Sequence, residues 1–298
     1  MMPILEHPVE HPVEHAELLR SSAFGGLELL RAHFVKHAFV PHSHAEYTVG
    51  LVTAGGQQFR YRGTRHLTPS SGFFVLHPQE AHTGAASGED GFSYRAFYPS
   101  PELMHSALER TRQTGRELPY FRKVVQNDVR LSRTLESLLE DLPLLGALEA
   151  ETRTLGWLAH LLEKGGFGAR PEAGREPLAV REARAFLETH PERPVSLLEL
   201  SGRVGLSPFY FARAFSRAVG MPPHSYHEGV RVRRAKALLE GGMPLEEVAF
   251  LSGFAHQSHF SERFRRHVGL PPGRYQEVVS HRGRQQSKMA QDTPGSSG

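Results

Sequence analysis

The spacing of apolar residues along the last hundred positions of the chain occurs twice. The first copy runs from Val195 to Tyr226 and the second from Met243 to Tyr275. In each copy a short apolar stretch is followed by a glycine and then by apolar residues at i, i+4 and i+8, the spacing of one buried helix face. These apolar residues are Phe211, Phe215 and Val219 in the first copy and Phe260, Phe264 and Val268 in the second. The pattern predicts two similar units, each made of two helices joined by a glycine-containing turn.

The register of the two copies supports a duplication. Leu197, Leu200 and Gly205 have counterparts 48 residues later, whereas Phe211 and Tyr226 have counterparts 49 residues later, so the second copy holds one extra residue after its glycine. Two helices around such a turn are the plan of a helix-turn-helix DNA-binding unit. An ordinary helix hairpin with a solvated polar face would explain a single copy equally well. The duplication, with Pro-Pro after both second helices, favours two DNA-binding units.

The outer face of each predicted second helix carries side chains that suit a DNA groove. Hydrogen-bonding, basic and aromatic groups contact base edges and phosphates. In the first copy this face holds Phe209, Tyr210, Ala212, Arg213, Ser216 and Arg217, and in the second it holds Gln257, Ser258, Ser261, Glu262 and Arg265. Ser207 followed by Pro208 is an N-cap with proline at the first helical position, which predicts where the first of these helices begins.

Residues 225–240, between the two copies, have the pattern of one continuous helix. The predicted buried stripe is Val232, Ala235, Leu238 and Leu239, and the other sides carry Arg231, Arg233, Arg234 and Lys236. A helix is a stiff spacer that rises about 1.5 Å per residue, so it would hold the two units at a fixed separation. A basic helix face is usually only solvated, but between two DNA-binding units we expect it to contact phosphates.

The first half of the chain has a different pattern, with short alternating runs broken by Gly, Pro and Ser. The clearest runs are Glu46–Thr53, Gln57–Tyr61, Gly72–Leu76 and Phe92–Tyr98. Many short strands at such intervals predict an antiparallel sandwich or barrel. From Pro101 to about Gly165 the spacing becomes helical and rich in leucine. The chain is therefore predicted to be a multi-domain α+β protein with an all-α carboxyl-terminal domain.

The composition of the connecting segments sets the predicted domain boundaries. Residues 1–24 contain the tract HPVEHPVEH with His7, His11 and His15; such tracts can bind metal, but the prolines and the lack of a framework favour a disordered tail. Residues 165–177 form a linker rich in Gly, Pro and charge. The predicted units are a disordered tail at 1–24, the sheet domain with its helices at 25–164, the linker at 165–177, the helical domain at 178–277 and a disordered basic tail at 278–298.

Composition excludes several classes of protein. The chain has no cysteine, which excludes disulfide or thiolate chemistry and fits a reducing cytoplasm. No apolar run approaches the length of about 18 residues that crosses a membrane, so no membrane partner is expected. Residues 1–175 hold 18 Lys and Arg against 20 Asp and Glu, whereas residues 176–298 hold 17 against 12. The positive half is the half with the duplicated helices, as nucleic-acid binding requires.

A group of histidines in the sheet domain suggests a polar pocket. His42, His44 and Glu46 alternate along the approach to a strand, so their side chains are expected on one face. His82 follows a predicted turn and would lie opposite them across a small barrel. Three imidazoles and a carboxylate are suitable metal ligands, but a ligand-lined or hydrogen-bonded pocket without metal explains the spacing as well. The pocket candidates are His42, His44, Glu46, Tyr47, Glu80 and His82.

With these motifs together, the chain resembles the AraC/XylS family of transcriptional regulators. The resemblance is strongest in the second copy, at Gly253-Phe254, Ser258-His259-Phe260, Phe264-Arg265, Gly269-Leu270-Pro271-Pro272 and Tyr275. It implies that the two units lie in adjacent major-groove turns and that base contacts come from Phe209, Ala212 and Arg213, then from Gln257, Ser258, Ser261 and Glu262. Ala212 and Glu262 depart from the usual hydrogen-bonding and basic residues. Ala212 suits only a thymine methyl group, and Glu262 favours a cytosine amino group.

The first half resembles the cupin-type, effector-binding barrel of the same family, through His42-Ser43-His44 and the stretch from Pro78 to His82. The resemblance implies a cupin-like antiparallel β-barrel that binds a small molecule, and dimerisation helices within residues 128–165. Burying those leucine stripes against the barrel is equally compatible with the sequence. Metal-binding cupins usually place an acid about four residues after the second histidine, where this chain has Thr48, which argues against a catalytic metal centre.

Together these features predict a cytoplasmic, non-enzymatic regulator in which a small molecule in the barrel changes how the helical domain engages promoter DNA. Arg213 is expected to contact a guanine. The residues expected on phosphates are Arg217, Arg234 and Arg265. RNA polymerase and a second copy of the chain are further candidate partners, and no cofactor is expected. The alternative is a metal-dependent cupin enzyme with a DNA-binding appendage, its metal on His42, His44 and His82. A DNA-repair methyl acceptor is excluded, because that chemistry needs a cysteine thiolate.

Overall fold

Strand β4 (Thr48–Tyr61) is the centre of the amino-terminal domain. The computed structural model describes residues 13–111, 118–164, 167–168 and 177–280. Around β4 lie β1 (His15–Arg20), β2 (Glu28–Phe34), β3 (Phe39–His42), β5 (Thr64–Pro69), β6 (Phe73–Leu76), β7 (His82–Ala86), β8 (Phe92–Phe97), β9 (Tyr120–Phe121), β10 (Val125–Gln126) and β11 (Phe167–Gly168). The main path runs β1-β2-β8-β4-β6-β10, and β5 and β7 also pair with β4. All these pairings are antiparallel, which confirms the predicted antiparallel sheet domain.

The prediction of separate strands at 46–53 and 57–61 is wrong, because β4 runs without interruption from Thr48 to Tyr61 and takes in most of the first run and all of the second. The register of β4 against β8 shifts between Val52 and Ala54, and Gly55 follows with a φ of 68°. A Cβ at Gly55 would collide with the Gly91 carbonyl oxygen, so the close approach there requires glycine. The first half of β4 pairs with β6 and β8 and the second half with β5 and β7. This irregularity therefore turns the strand around the corner of the barrel.

Three helices follow the barrel: α1 (Pro101–Leu108), α2 (Val129–Asp141) and α3 (Ala147–Lys164). Their leucine stripes are buried in one cluster with barrel residues. Trp157 lies at the centre of this packing, with its ring 5.9 Å from Phe73 and 6.0 Å from Phe97. Of the two arrangements that the sequence allowed, the stripes take the one against the barrel.

The carboxyl-terminal domain is all-helical, as predicted. Its helices are α4 (Leu178–Thr189), α5 (Leu197–Arg203), α6 (Pro208–Val219), α7 (Pro223–Glu240), α8 (Leu245–Leu251), α9 (Gln257–Val268) and α10 (272–280). Helices α5 and α6 form the first helix-turn-helix unit and α8 and α9 the second, with α7 as the linker helix. Both α6 and α9 end on a left-handed glycine, Gly220 and Gly269. None of the described helices has the length and apolar character needed to span a membrane.

Three predicted boundaries need correction. Within the predicted tail 1–24, residues 15–20 form β1 because β2 offers them a pairing partner from His33 to Glu28. Within the predicted linker 165–177, Phe167 and Gly168 pair with β9, because Phe167 packs against Phe121. Within the predicted tail 278–298, α10 continues to residue 280, where Val279 is buried. The remaining parts of these predictions, at 1–12, 165–166, 169–176 and 281–298, lie outside the described residues.

Candidate DNA interface and ligand cavity

Helix α6 presents the predicted reading face of the first unit to solvent. The Ser207 hydroxyl accepts a hydrogen bond from the Tyr210 N–H at 3.4 Å, which caps the helix where the sequence predicted. Phe209 is 72 % and Tyr210 63 % exposed, unusual values for large aromatic side chains. The Arg213 guanidinium lies 5.5 Å from the centre of the Phe209 ring. Arg213 and Arg217 are exposed and Ala212 is half-buried on the same helix.

Helix α9 presents the predicted reading face of the second unit in the same way. Gln257, Ser258, Glu262 and Arg265 are exposed, and Ser261 is half-buried. Glu262 lies 3.8 Å from the Arg266 guanidinium, one turn along the helix. None of the other described residues thus covers the predicted reading face of either unit.

The linker helix uses most of its basic side chains in contacts within the protein, and Arg234 is the one of the four that is exposed. Arg231 donates hydrogen bonds to the carbonyls of Pro191 and Arg193, at 2.8 and 3.2 Å. Arg233 is paired with Glu188 at 2.7 Å, and Lys236 with Glu28 at 3.1 Å. Arg234 is exposed, and its Nε donates to the Leu251 carbonyl at 2.9 Å.

These bonds fix the two units relative to each other. Arg231 holds the loop that leads into α5, and Arg234 holds the end of α8, so α7 is tied to both units. The turn of the second unit also touches the loop before the first. A Cβ at Gly253 would lie 2.7 Å from the Glu192 Cα and carbonyl oxygen, so only glycine allows this approach.

A cavity lies where the barrel meets the linker helix and α9. It encloses about 960 Å³ of non-atom space, part of it open to solvent. Its apolar lining comes from Leu18, Leu30, Phe39, Phe59, Phe74, Leu76, Tyr94 and Tyr98 of the barrel and from Val232, Val268, Leu270 and Tyr275 of the helical domain. A concave, mostly apolar wall with a few polar groups is typical of a small-molecule site.

His42, His44 and His82 converge at the wall of this cavity. His42 on β3 is paired directly opposite His82 on β7, and His44 follows in the bend after β3. The ring centroid of His42 lies 4.3 Å from that of His82 and 4.8 Å from that of His44. One nitrogen from each ring lies within 4.8 Å of the other two. Glu46 lines the same cavity.

Burial keeps these imidazoles neutral. Desolvation lowers the pKa of His42 and His44 well below the usual range of histidine, and the neighbouring rings add to the effect. Desolvation also lowers the pKa of His82 to about 4, against the opposing influence of Glu80. At neutral pH the cavity therefore offers imidazole lone pairs rather than positive charges.

Tyr47 and Glu80 were predicted as pocket residues, and the structure places both elsewhere. Strand alternation sends Tyr47 to the face opposite Glu46 and Thr48, where its hydroxyl donates to the Pro119 carbonyl at 2.9 Å. Glu80 precedes β7, lies outside the cavity lining and pairs with Arg62 at 2.6 Å. Their nearness in sequence to the histidines did not reveal which way their side chains point.

Several cavity residues were not predicted. Thr48 and Gln57 are 6 % and 5 % exposed, and the Thr48 Oγ1 and Gln57 Oε1 atoms have no hydrogen-bond partner among the described residues. Strand alternation from Glu46 would have indicated Thr48. Lys236, His267 and Tyr275 reach the cavity from the helical domain, and no local pattern reveals a contact over such a separation.

A polar contact joins the two domains at the edge of this cavity. The Lys236 Nζ lies 3.1 Å from the Glu28 carboxylate, and the Tyr275 hydroxyl donates to Glu28 at 2.8 Å. Burial alone would raise the pKa of Glu28, but the charge of Lys236 and the hydrogen bonds from Tyr275 and Lys236 lower it. Any molecule in the cavity therefore lies beside the contact that holds the helical domain on the barrel.

Two family models match the chain. Residues 24–159 match the AraC-like ligand binding domain, and residues 200–277 match the helix-turn-helix domain. These ranges agree with the barrel and its helices and with the two units described above.

Similar proteins support the same assignment. The HTH-type transcriptional regulator YbfI of Bacillus subtilis is 28 % identical over 242 residues, which cover 78 % of this chain and 85 % of YbfI. LumQ of Photobacterium leiognathi, described as a probable transcriptional regulator, is 40 % identical over 77 residues, which cover 26 % of this chain and 31 % of LumQ.

The fold is shared with a solved structure across both domains. The crystal structure of an apo ToxT variant from Vibrio cholerae covers 90 % of this chain and 98 % of its own, with a TM-score of 0.53 and 10 % identity. The chain thus combines an AraC-like ligand binding domain with a helix-turn-helix domain, and the relatives that it matches are described as transcriptional regulators.

Proposed function

We propose that a small molecule bound in the cavity controls how the two helix-turn-helix units engage promoter DNA. The observation that carries this proposal is the composition of the cavity wall. Barrel strands supply one side, while Val232 and Lys236 of α7 and His267 of α9 supply the other. An occupant therefore contacts the sensing domain and the second unit at once, so its binding energy can differ between two placements of the units. We place this activity in the cytoplasm, where the DNA is.

DNA reading is assigned to the exposed faces of α6 and α9. Arg213 is proposed to bind a guanine through two hydrogen bonds, which discriminates against other bases by about 1–3 kcal/mol. Phe209 and Ala212 suit thymine methyl groups, and Glu262 suits a cytosine amino group. Gln257, Ser258 and Ser261 offer further hydrogen bonds, with Tyr210 beside them. The proposed phosphate contacts are Arg217, Arg234 and Arg265, and they would make binding strongly salt-dependent.

Selection from a randomised duplex library tests this proposal. The full chain is mixed with the library at about 150 mM salt, with and without cell extract, and bound DNA is sequenced. We expect a site with two short blocks about 10.5 bp apart, one for each unit, and a change in enrichment when extract supplies the small molecule. Enrichment of a single block would contradict the two-unit arrangement, and an unchanged profile would contradict control by a small molecule.

We infer that the protein has no catalytic activity. The comparisons support a regulator and give no support to the alternative of a metal-dependent cupin enzyme. The cavity wall itself supports the same inference, because α7 and α9 close one side of it and connect an occupant to the DNA-binding units.

Two further partners are part of the proposal. Self-association would use the turn between α2 and α3 together with the first turn of α3, where Leu144 and Leu148 are exposed, because most leucines of these helices are buried. Sedimentation of the wild type against Leu144→Ser and Leu148→Ser tests it, and a monomer in all three would contradict it. RNA polymerase is the other partner, and transcription in vitro from the selected site should change when the protein is added.

A further inference from the structure

The three cavity histidines have the arrangement of metal ligands. The His42 Nδ1 lies 2.7 Å from the Val40 carbonyl, and the His82 Nδ1 lies 3.0 Å from the Glu80 carbonyl. A ring that donates its Nδ1–H to a carbonyl has its lone pair on Nε2, and this second bond is the usual way in which metal-ligating histidines are oriented. One nitrogen from each of His42, His44 and His82 lies within 4.8 Å of the others.

We propose that His42, His44 and His82 bind one divalent transition-metal ion, of which Zn²⁺ is the representative, and that this ion takes part in the control of DNA binding. The inference deepens the proposed function, on which its regulatory half rests. Two nitrogens on a tetrahedral Zn²⁺ lie about 3.3 Å apart, so small side-chain rotations close the site.

The other polar groups of the cavity suit a metal with open coordination positions. Thr48 occupies the place in the sequence where an acidic fourth ligand would be expected. Its buried Oγ1 and the buried Gln57 Oε1 have no hydrogen-bond partner among the described residues, and both residues line the same cavity as the histidines. Three imidazoles hold an ion such as Zn²⁺ and leave at least one position for another ligand. These buried oxygens are groups to which a metal-bound water or small molecule can hydrogen-bond.

Ion pairing reduces the electrostatic repulsion between the nearby basic side chains and a bound metal ion. Arg233 and Lys236 line the cavity, but Arg233 is paired with Glu188 at 2.7 Å and Lys236 with Glu28 at 3.1 Å. Glu46 adds a negative charge to the same wall. The local charge is therefore close to balanced before the ion binds.

The site also lies against the second DNA-binding unit. The His267 ring, on α9, is 6.1 Å from the His42 ring, and its Nε2 lies 2.8 Å from the Glu228 carboxylate on α7. An added double positive charge at this distance acts on both groups. Binding of the ion is thus expected to change how α9 is held, and with it the affinity for DNA.

Cobalt titration of the metal-free full chain is the direct test. Co²⁺ substitutes for Zn²⁺ and gives visible absorption when held by protein ligands; we expect one equivalent with such a band, displaced by Zn²⁺. His44→Ala should abolish the band, and His82→Gln, a second variant that keeps a polar side chain, should do the same. Thermal unfolding checks that each variant is folded. No band in the wild type, or a band that survives in both variants, overturns the metal site.

Two matched controls separate this site from other histidines. His66→Ala removes a barrel histidine that stacks on Phe59 outside the group, and should leave the titration unchanged. The double variant His7→Gln, His11→Gln removes histidines of the amino-terminal tract and should keep the cobalt band. A band lost in the double variant but kept in His44→Ala would assign the metal to the tract and overturn the proposal.

DNA binding distinguishes failure of the metal inference from failure of the proposed function. Affinity for the selected site is measured in EDTA and with one equivalent of Zn²⁺, for the wild type and His44→Ala. We expect at least a threefold change in the wild type and none in the variant. Equal affinities in the wild type overturn the regulatory role of the ion, while selection of a two-block site and its response to extract still support the proposed function.

Discussion

The two helix-turn-helix units share one fold and have different neighbours. The buried core of the first unit is built from α4 to α7, with Phe211 and Phe215 at its centre, and of the barrel it meets mainly Ala81. The core of the second unit is continuous with the barrel, because Phe260 and Phe264 belong to the same cluster as Phe34 and Phe92. The repeated pattern thus determines how each unit folds, and residues outside the pattern determine what it packs against.

One pair of equivalent positions makes this difference concrete. Ala218 in the first unit is exposed, whereas its counterpart 49 residues later, His267, is 4 % exposed and faces the barrel histidines. The equivalent turns of α6 and α9 therefore differ in their surroundings. The turn in α6 faces solvent, whereas the turn in α9 lies at the interface with the barrel. The second unit is therefore the one that can respond directly to the cavity.

The largest effect is expected from removing the equivalent core phenylalanines. Phe211→Ala and Phe260→Ala each leave a cavity that costs about 3–5 kcal/mol. Trp157, the single tryptophan, lies in the barrel core and reports on that domain, while circular dichroism follows the helices. We expect Phe211→Ala to shift only the helical transition and Phe260→Ala to shift the tryptophan transition as well. Equal tryptophan shifts in both variants would contradict the difference between the units.

A smaller effect is expected at the domain contact. Lys236→Met leaves the Glu28 carboxylate, 16 % exposed, without its cation, and should destabilise the barrel by roughly 1–3 kcal/mol, less than a fully buried pair. Arg233→Met is the control, because its pair with Glu188 is within the helical domain and exposed, which limits the loss to about 1 kcal/mol or less. Urea unfolding, monitored by Trp157 fluorescence, measures the loss of barrel stability in each of the two variants. An equal loss in both would show that the barrel does not depend on this contact.

The same pair has a defined pH dependence. The pKa of Glu28 is lowered in the folded protein, so its stabilisation is present above the ordinary pKa of glutamate and is lost as the pH falls. The difference in stability between the wild type and Lys236→Met should therefore shrink below about pH 4.3. A difference that stayed constant to lower pH would show that the change acts through packing rather than charge.

The equivalent positions Arg213 and Glu262 should affect DNA binding in opposite directions. Arg213→Ala should relax the preference at one base position by about 1–3 kcal/mol. Glu262→Ala should raise affinity for sequences that lack the preferred cytosine, because it removes an acid near phosphates, and it should relax one position in the other block. Arg217→Ala is the control, with uniform weakening and a salt slope reduced by about one. Uniform weakening by Arg213→Ala would rule out its base-reading role.

The smallest effect concerns His227, whose counterpart in the second unit is Gln276. Burial lowers the pKa of His227, and Arg231 adds to this. Because the unfolded chain takes up the proton first, the first unit loses stability as the pH falls below about 6.5. His227→Gln should make the fall of the helical transition between pH 6.5 and 5.5 shallower. An unchanged slope would show that His227 contributes nothing to acid sensitivity.

The helical domain was predictable because its information is local. The conformation is determined within a few residues by three features: the period of apolar residues, the serine before Pro208 and the paired glycines. In the sheet domain, the glycines at 55 and 56 led to the wrong prediction of two strands, because glycine commonly ends a strand. Here Gly55 allows β4 to bend while strand pairing continues on both sides of it. Strand β1 was missed because the histidine and proline tract before it favoured a disordered tail, whereas pairing with β2 orders residues 15–20.

The cavity was predictable only in part. The alternation of His42, His44 and Glu46 located one wall, since a strand places such residues on one face. Tyr47 and Glu80 were assigned to it by nearness in sequence, which does not determine side-chain direction. Lys236, His267 and Tyr275 depend on how two domains dock, and docking is determined by surface complementarity that a periodic pattern does not contain.

The contact between Gly253 and the backbone of Glu192 has a consequence for the genome that the protein reads. A protein whose two units cannot slide must find both blocks of its site at one distance. One added base pair would turn one block by about 34° around the duplex and move it about 3.4 Å. Promoters under its control are therefore expected to vary freely in the bases between the blocks and to keep the number of those bases constant.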